Sequence, residues 1–421
     1  MGWLALTGGP PVWRDGWPPW PQHDDATIDR VATAVRSGRW TLTGGWTGDE
    51  PYERLFARRF AELVGVPYCV STDHGSSSLV VALEAVGVGA GDEVIVPVLT
   101  WVATATAVLN VNAVPVFVDV DAGTGCLDPE AAAAAITDRT TAIIAVHLHC
   151  RMADMDALVR LADAHGLPVI EDCAQAHGAR WRGHRAGSIG VVGAFSMQQG
   201  KVLTCGEGGA VVTGDPVLYD RLQQLRADAR RYPEAEPRLG YPYLVEAGEV
   251  MGTNHCLGEL PAALLLDQLE RLPAQLARRA RGAEMLDAEL ARLPGLHPMT
   301  RQPGLELPSV FAYAVRRDPE AFAGAPTDRV CAAVAAELGV RVYRCDRPLH
   351  DNVLYCPHTK PRYRWLDSRL RTTAKWGDFR HAEHLYDNLI LVPHRVLLAD
   401  DAGLDAVVSA FSKVARYATE L

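Results

Sequence analysis

The chain has 421 residues, 48% of them hydrophobic, and 41 basic against 51 acidic side chains give a formal charge of −10. That length allows two or three domains and a sizeable core without metal or disulfide support. Acidic residues are scattered and no basic stripe is present, which excludes a nucleic-acid binder. Nine cysteines at irregular spacing, with Cys69 and Cys173 inside apolar runs, read as reduced core thiols of a cytosolic protein.

In chain order, the start MGWLALTGGPPVW carries no basic segment, so no signal peptide is expected. The first 50 residues, rich in Trp, Pro and Gly, read as a cover, with 1–30 as an arm. Apolar runs at 93–98, 114–120, 141–149, 167–172 and 191–196 predict strands, and 100–111, 128–136 and 153–165 predict helices. The last of these begins at Asp154 and closes at Gly166 before Pro168. Strands apolar on both faces and separated by helices predict an α/β layer with a mostly parallel sheet. The uncharged stretch 98–118 is interrupted by Thr100, Thr104, Thr106, Asn110, Asn112 and Pro115, so it reads as a buried helix and strand, not a membrane span. Further on, 258–292 predicts one long helix, 309–317 a half-exposed strand, 327–338 a helix and 339–344 an apolar run. Helical patterns at 380–391 and 403–419 complete a smaller α+β domain. The expected division is 31–270 for the large domain and 271–421 for the small one.

Three places carry candidate chemistry. His74-Gly75-Ser76-Ser77-Ser78 precedes a helical run, and hydroxyls with free N–H groups at a helix start suit a phosphate. Taken alone, that motif is better explained by a simple Ser N-cap. Glu171-Asp172 ends a strand where α/β proteins bind ligands, although a loop carboxylate capping the next element has the same look. Lys201 follows Ser196-Met197-Gln198-Gln199-Gly200 between apolar segments, and a desolvated lysine can form Schiff bases.

Two other patterns fail. GVGAG at 87–91 precedes a strand instead of following one, which excludes a dinucleotide fingerprint. His147 and His149 on one predicted strand face, with Cys150, Cys173 and His177, imitate a zinc site. The closing ligands at metal spacing are missing, so core histidines are expected and no metal. A phosphate cup, the aromatic Trp101, an acid, Ser196 and a buried lysine along one α/β domain are together what pyridoxal phosphate (PLP) requires.

The segments HGSSSL, DEVIVPVLTWVATATAVL, VIEDCAQAHGA, GSIGVVGAFSMQQGKVLTCGEGGAVVTGD and GTNHCLGELPAALLLDQLERL resemble the DegT/DnrJ/StrS family of fold-type-I, PLP-dependent sugar aminotransferases. The resemblance implies a large, mostly parallel α/β domain with a smaller C-terminal α+β domain. Lys201 then matches the Schiff-base lysine, Asp172 the partner of the pyridine nitrogen, and Trp101 the ring-stacking aromatic. Ser76 and Ser196 match phosphate contacts, Ser77 lends its backbone to the same cup, and Gln175 matches a residue beside the ring's 3-oxygen. Asn254 matches an asparagine that reaches the phosphate of a neighbouring subunit, which implies a homodimer with shared active sites. Where much of the family reads Asn-Tyr-Arg-Met, this chain has Asn254-His255-Cys256-Leu257. The SMQQGK wording and residues 347–365 resemble the cyclitol branch. That branch implies L-glutamine as donor and scyllo-inosose or 2-deoxy-scyllo-inosose as acceptor in aminoglycoside biosynthesis. A nucleotide-linked keto sugar is the alternative acceptor. A metal-dependent hydrolase and a non-catalytic PLP-fold partner are the readings from other classes.

Overall fold

The computed structural model describes residues 2–366 and 377–421. Its centre is a seven-stranded sheet in the order Tyr68–Thr72, Gly209–Thr213, Val192–Ser196, Val169–Asp172, Thr140–Val146, Glu93–Pro97, Val114–Val118. Gly209–Thr213 runs antiparallel to both neighbours, and the other pairings are parallel. Nearly every residue of these strands is buried, as expected where helices cover both faces of a parallel sheet. All five strands expected from their apolar runs are present, each trimmed by a few residues.

The helices form where apolar spacing and caps agree. Met155–His165 is capped by the Asp154 carboxylate, which accepts from the Ala157 N–H, and ends at Gly166 with φ +64°. Within 98–118 lie the helix Ala103–Asn110 and the edge strand Val114–Val118. No helix among the described residues is long and apolar enough to cross a membrane.

The helix Glu259–Leu290 leads from the large sheet to the small one, is continuous through residue 270 and carries Pro273 inside it. The second sheet has four strands, in the order Leu296–Pro298, Ala312–Arg317, Leu389–Pro393, Tyr343–Arg344. Two expectations need correction here. Ala312–Arg317 is almost wholly buried rather than half-exposed, because it lies between two strands and under helices. The helix expected over 380–391 stops at Asn388, and Leu389–Pro393 is a strand, since a short apolar run fits either periodicity. Only Tyr343–Arg344 of the 339–344 run is strand. The first 50 residues also hold more order than a plain cover. Asp25–Arg36 is a helix with an Asp24/Thr27 capping box, and Asp24 is paired with Arg271 at 2.6 Å.

Candidate active site

Six strands of the large sheet end on one side, and the chain segments leaving those that end at Thr72, Pro97, Val146, Asp172 and Ser196 build the site. Asp172 is buried at its strand end. Its Oδ2 accepts from the Thr104 hydroxyl at 2.9 Å and its Oδ1 from the Ala174 N–H at 3.1 Å. Burial raises the Asp172 carboxyl above its usual range, against those two bonds and the charge of Lys201. Glu171, one residue earlier, takes the opposite face of the sheet. There its two oxygens accept from the Gly187, Ile189 and Gly190 N–H groups and from His147. The pair is thus divided, with Glu171 structural and Asp172 turned to the crevice.

Lys201 sits in the loop after Val192–Ser196, with its Nζ 4.6 Å from the centroid of the Phe311 ring. Burial pulls its ammonium down from the ordinary lysine value, and Asp172 and Asp346 oppose that only in part. A neutral amine is therefore reached at lower pH than for a surface lysine, which favours nucleophilic attack on a carbonyl. His149 and His177 lie beside Lys201, and burial followed by the lysine's charge holds both imidazoles at about 3. All four of their ring nitrogens are buried without a hydrogen-bond partner among the described residues. Gln175 is tied in through its Oε1, which accepts from the His149 N–H at 2.7 Å. His149 itself has φ +57°, beyond the strand that ends at Val146, so it and His147 do not share one strand face as expected.

The helix Gly75–Ala85 starts beside Ser196. Its N-cap residue His74 makes no side-chain capping bond, which leaves the first-turn N–H groups of Gly75, Ser76 and Ser77 to a ligand. A Cβ on Gly75 would stand 2.3 Å from that of Ser196, so only glycine permits this approach. The Ser78 hydroxyl locks the helix to the strand Val192–Ser196 by donating to the Phe195 carbonyl at 3.0 Å. Ser77 bonds Asp73. Burial would raise that carboxyl, but bonds from His255 and Ser77 hold it at about 2.

Trp101 stands at the rim with half of its surface exposed, between the strand Glu93–Pro97 and the helix Ala103–Asn110. Asn254 is not brought into the lysine pocket. It is exposed, bridges to Ala227, and its Oδ1 accepts from the Cys256 N–H at 3.2 Å.

The sequence signals also pass over four groups. Thr104 looked like a polar interruption in an apolar stretch. Phe311 lay in a supposed half-exposed strand, and Asp346 sits in a loop with no motif. His394 follows a strand hidden in a helical pattern.

Of the imagined metal ligands, His147 comes within 4.8 Å of Glu171 and Cys173. The Ala153 N–H donates to His147 Nδ1 at 3.1 Å, so Nε2 carries the proton and donates to Glu171 at 3.0 Å. Burial also pushes the Cys173 thiol well above its ordinary value. His147 and Glu171 are already engaged as each other's hydrogen-bond partners.

A cofactor with one aldehyde, one ring nitrogen and one phosphate answers the amine, the acid and the uncapped helix together. The class is that of fold-type-I, pyridoxal-phosphate aminotransferases. The chain belongs to the DegT/DnrJ/EryC1/StrS aminotransferase family, whose pattern matches residues 22–412. It is 46% identical over 419 residues, 99% of both chains, to the L-glutamine:2-deoxy-scyllo-inosose aminotransferase of Streptoalloteichus tenebrarius. It is also 46% identical over 415 residues, 98% of this chain and 97% of the other, to the L-glutamine:scyllo-inosose aminotransferase of Streptomyces griseus. Among solved structures, 3-amino-5-hydroxybenzoic acid synthase is similar with a TM-score of 0.81 at 31% identity, covering 96% of this chain and 99% of that one.

Proposed function

We propose that this chain transfers the amino group of L-glutamine to a keto-cyclitol, 2-deoxy-scyllo-inosose or scyllo-inosose, in aminoglycoside antibiotic assembly, using PLP. The observation that carries the chemistry is the half-buried, desolvated Lys201 amine with the buried Asp172 as its acidic neighbour. The full-length similarity to cyclitol aminotransferases supports the substrate class.

The residues fit the cofactor. Gly75, Ser76, Ser77 and Ser196 form a small cradle that a Cβ at position 75 would fill, and it would hold the phosphate. Asp172 would keep the ring nitrogen protonated, with Thr104 fixing the carboxylate. Gln175, anchored by the His149 backbone, would stand beside the ring's 3-oxygen, and Trp101 would supply an apolar face. When bound, PLP supplies an aldehyde that takes up the amino group and a ring that stabilises negative charge at the reacting carbon. Lys201 would hold the cofactor through its amine and, freed by the incoming donor, would act as general base on the donor's Cα proton and as the acid that delivers this proton to the cofactor. The same groups run in reverse on the ketone, so the amine ends on the cyclitol and glutamine leaves as its 2-oxo acid.

The assembly proposed is a cytoplasmic homodimer with shared active sites. Asn254 faces solvent in the single chain, as a side chain reaching a second subunit must. Purified protein with L-glutamine should be offered scyllo-inosose, its 2-deoxy analogue and a nucleotide-linked keto sugar. Higher kcat/KM on either cyclitol is expected. Preference for the nucleotide sugar would overturn the substrate reading while leaving the chemistry of Lys201 intact.

A further inference from the structure

The turn that carries Lys201 is held from outside. Within it, the Lys201 N–H donates to the Gln198 carbonyl at 2.8 Å and the Gln199 N–H to the Gly206 carbonyl at 2.7 Å. The Gly200 N–H donates to the Gln198 side chain at 2.7 Å. The next two carbonyls face distant elements. Gln199 O accepts from the Trp20 indole N–H at 3.1 Å, and Gly200 O accepts from His394 Nε2 at 3.2 Å. These partners lie 179 and 194 residues away in sequence, one in the N-terminal arm and the other just after the strand Leu389–Pro393.

The two outer rings also brace each other. Trp20 and His394 meet edge to face, with centroids 4.7 Å apart at 88°. Arg279 of the long helix places its guanidinium 4.8 Å from the centroid of the Trp20 ring, and none of its three side-chain nitrogens has a hydrogen-bond partner among the described residues. His394 lies near-parallel to Phe311, the ring beneath Lys201 Nζ. A carbonyl can only accept, so His394 Nε2 must carry the proton, and the ring, held at about 3 chiefly by burial, stays neutral to do so.

We propose that Trp20 and His394 clamp the Lys201 turn, acting as positioning residues through which the arm and the small sheet fix where the reacting amine stands. The argument is one of leverage. Both bonds fall on the two peptide carbonyls immediately before Lys201, so losing either frees a peptide plane whose rotation swings the lysine side chain. A misplacement of about 1 Å at a reacting atom can cost about 10²-fold in rate. The inference rests on the reading of Lys201 as the amine that holds the cofactor.

Three variants of the full-length protein test it. Trp20→Phe and His394→Phe keep a ring and lose the donor, whereas His394→Gln keeps an N–H near the position of Nε2. The measurements are the rate at which PLP-free protein develops the visible cofactor band, the pH midpoint of that band, kcat and KM separately, and the melting temperature. The groups facing Lys201 are Asp172, Asp346, His149, His177 and His394; the variants leave the first four untouched, and the His394 ring they replace is held neutral by burial, so no charge is removed. With His394→Phe we expect band formation and kcat to fall about 10-fold and the midpoint to move, with KM for glutamine within about 2-fold. Trp20→Phe should fall about 5-fold, and His394→Gln should recover most of the loss. Equal losses in the Gln and Phe variants would overturn the hydrogen-bond assignment. A lower melting temperature with unchanged band formation, midpoint and kcat would reduce the clamp to packing. Failure of the Lys201 reading looks different, because the unmodified protein would then form no band at Lys201.

Discussion

Two buried charged clusters of this molecule differ in one respect. Beneath the helix Tyr52–Val64, Glu53 and Arg226 pair at 2.7 Å, and Tyr232 donates to both Glu53 oxygens. Ser71 and its carbonyl join the set, so the carboxylate and both terminal guanidinium nitrogens are matched inside the chain, and Arg226 Nε is the one buried atom of the set with no partner among the described residues. Around Lys201 the deficit is much larger. Among the described residues His149 and His177 leave four ring nitrogens unpaired, His394 leaves its Nδ1, and Arg279 leaves three nitrogens. Burying a polar atom without a partner is costly, and chains tolerate it where a ligand or solvent completes the set. The first cluster holds the fold together. The second waits for chemistry.

This contrast orders the expected effects. Lys201→Ala should leave the fold intact and cut turnover about 10²- to 10⁴-fold, the range of a lost general acid–base group, in the glutamine and cyclitol assay. Acid should act on the incomplete cluster. The unfolded chain binds protons at His149, His177 and His394 near pH 6.5, whereas the folded protein refuses them until about 3. Stability of PLP-free protein should therefore fall as pH drops through that window, by about 1.4 kcal/mol per unit for each such histidine. Denaturant titration across pH checks it, and His177→Gln should flatten the slope.

In the paired cluster, Arg226→Met strands the buried Glu53 and should destabilise by about 3–5 kcal/mol in urea, without altering the cofactor band of the folded fraction. Gly75→Ala forces a Cβ against Ser196 and should cost about 1–3 kcal/mol while weakening PLP binding. Thr104→Val removes one bond to Asp172 and should lower kcat about 5-fold, or about 1 kcal/mol. If Arg226→Met instead abolished the band while stability held, the division of roles between the clusters would collapse.

The large sheet was legible because its strands are apolar on both faces and its helices carry local caps such as Asp154 and Gly166. The small domain was less so. Leu389–Pro393 continues a helical pattern, and what makes it a strand is its pairing with Ala312–Arg317, about 75 residues away, which no local pattern encodes. The candidate site shows the same split. Asp172, Ser196 and Lys201 stand at ends of apolar runs, so position in the pattern marked them. Thr104, Phe311, Asp346 and His394 act through space from segments whose own sequence reads as packing or loop. Trp20 is the sharpest instance. Composition gave it a place in a cover, and only the fold set its indole against the lysine turn.

The chain has four lysines, at 201, 360, 375 and 413. That scarcity allows a direct measurement of the central claim. Protein saturated with PLP should be reduced with borohydride, digested, and its labelled peptide sequenced by mass spectrometry. The account predicts one label per chain, on Lys201. A label on Lys360, Lys375 or Lys413 with Lys201 unmodified would contradict it.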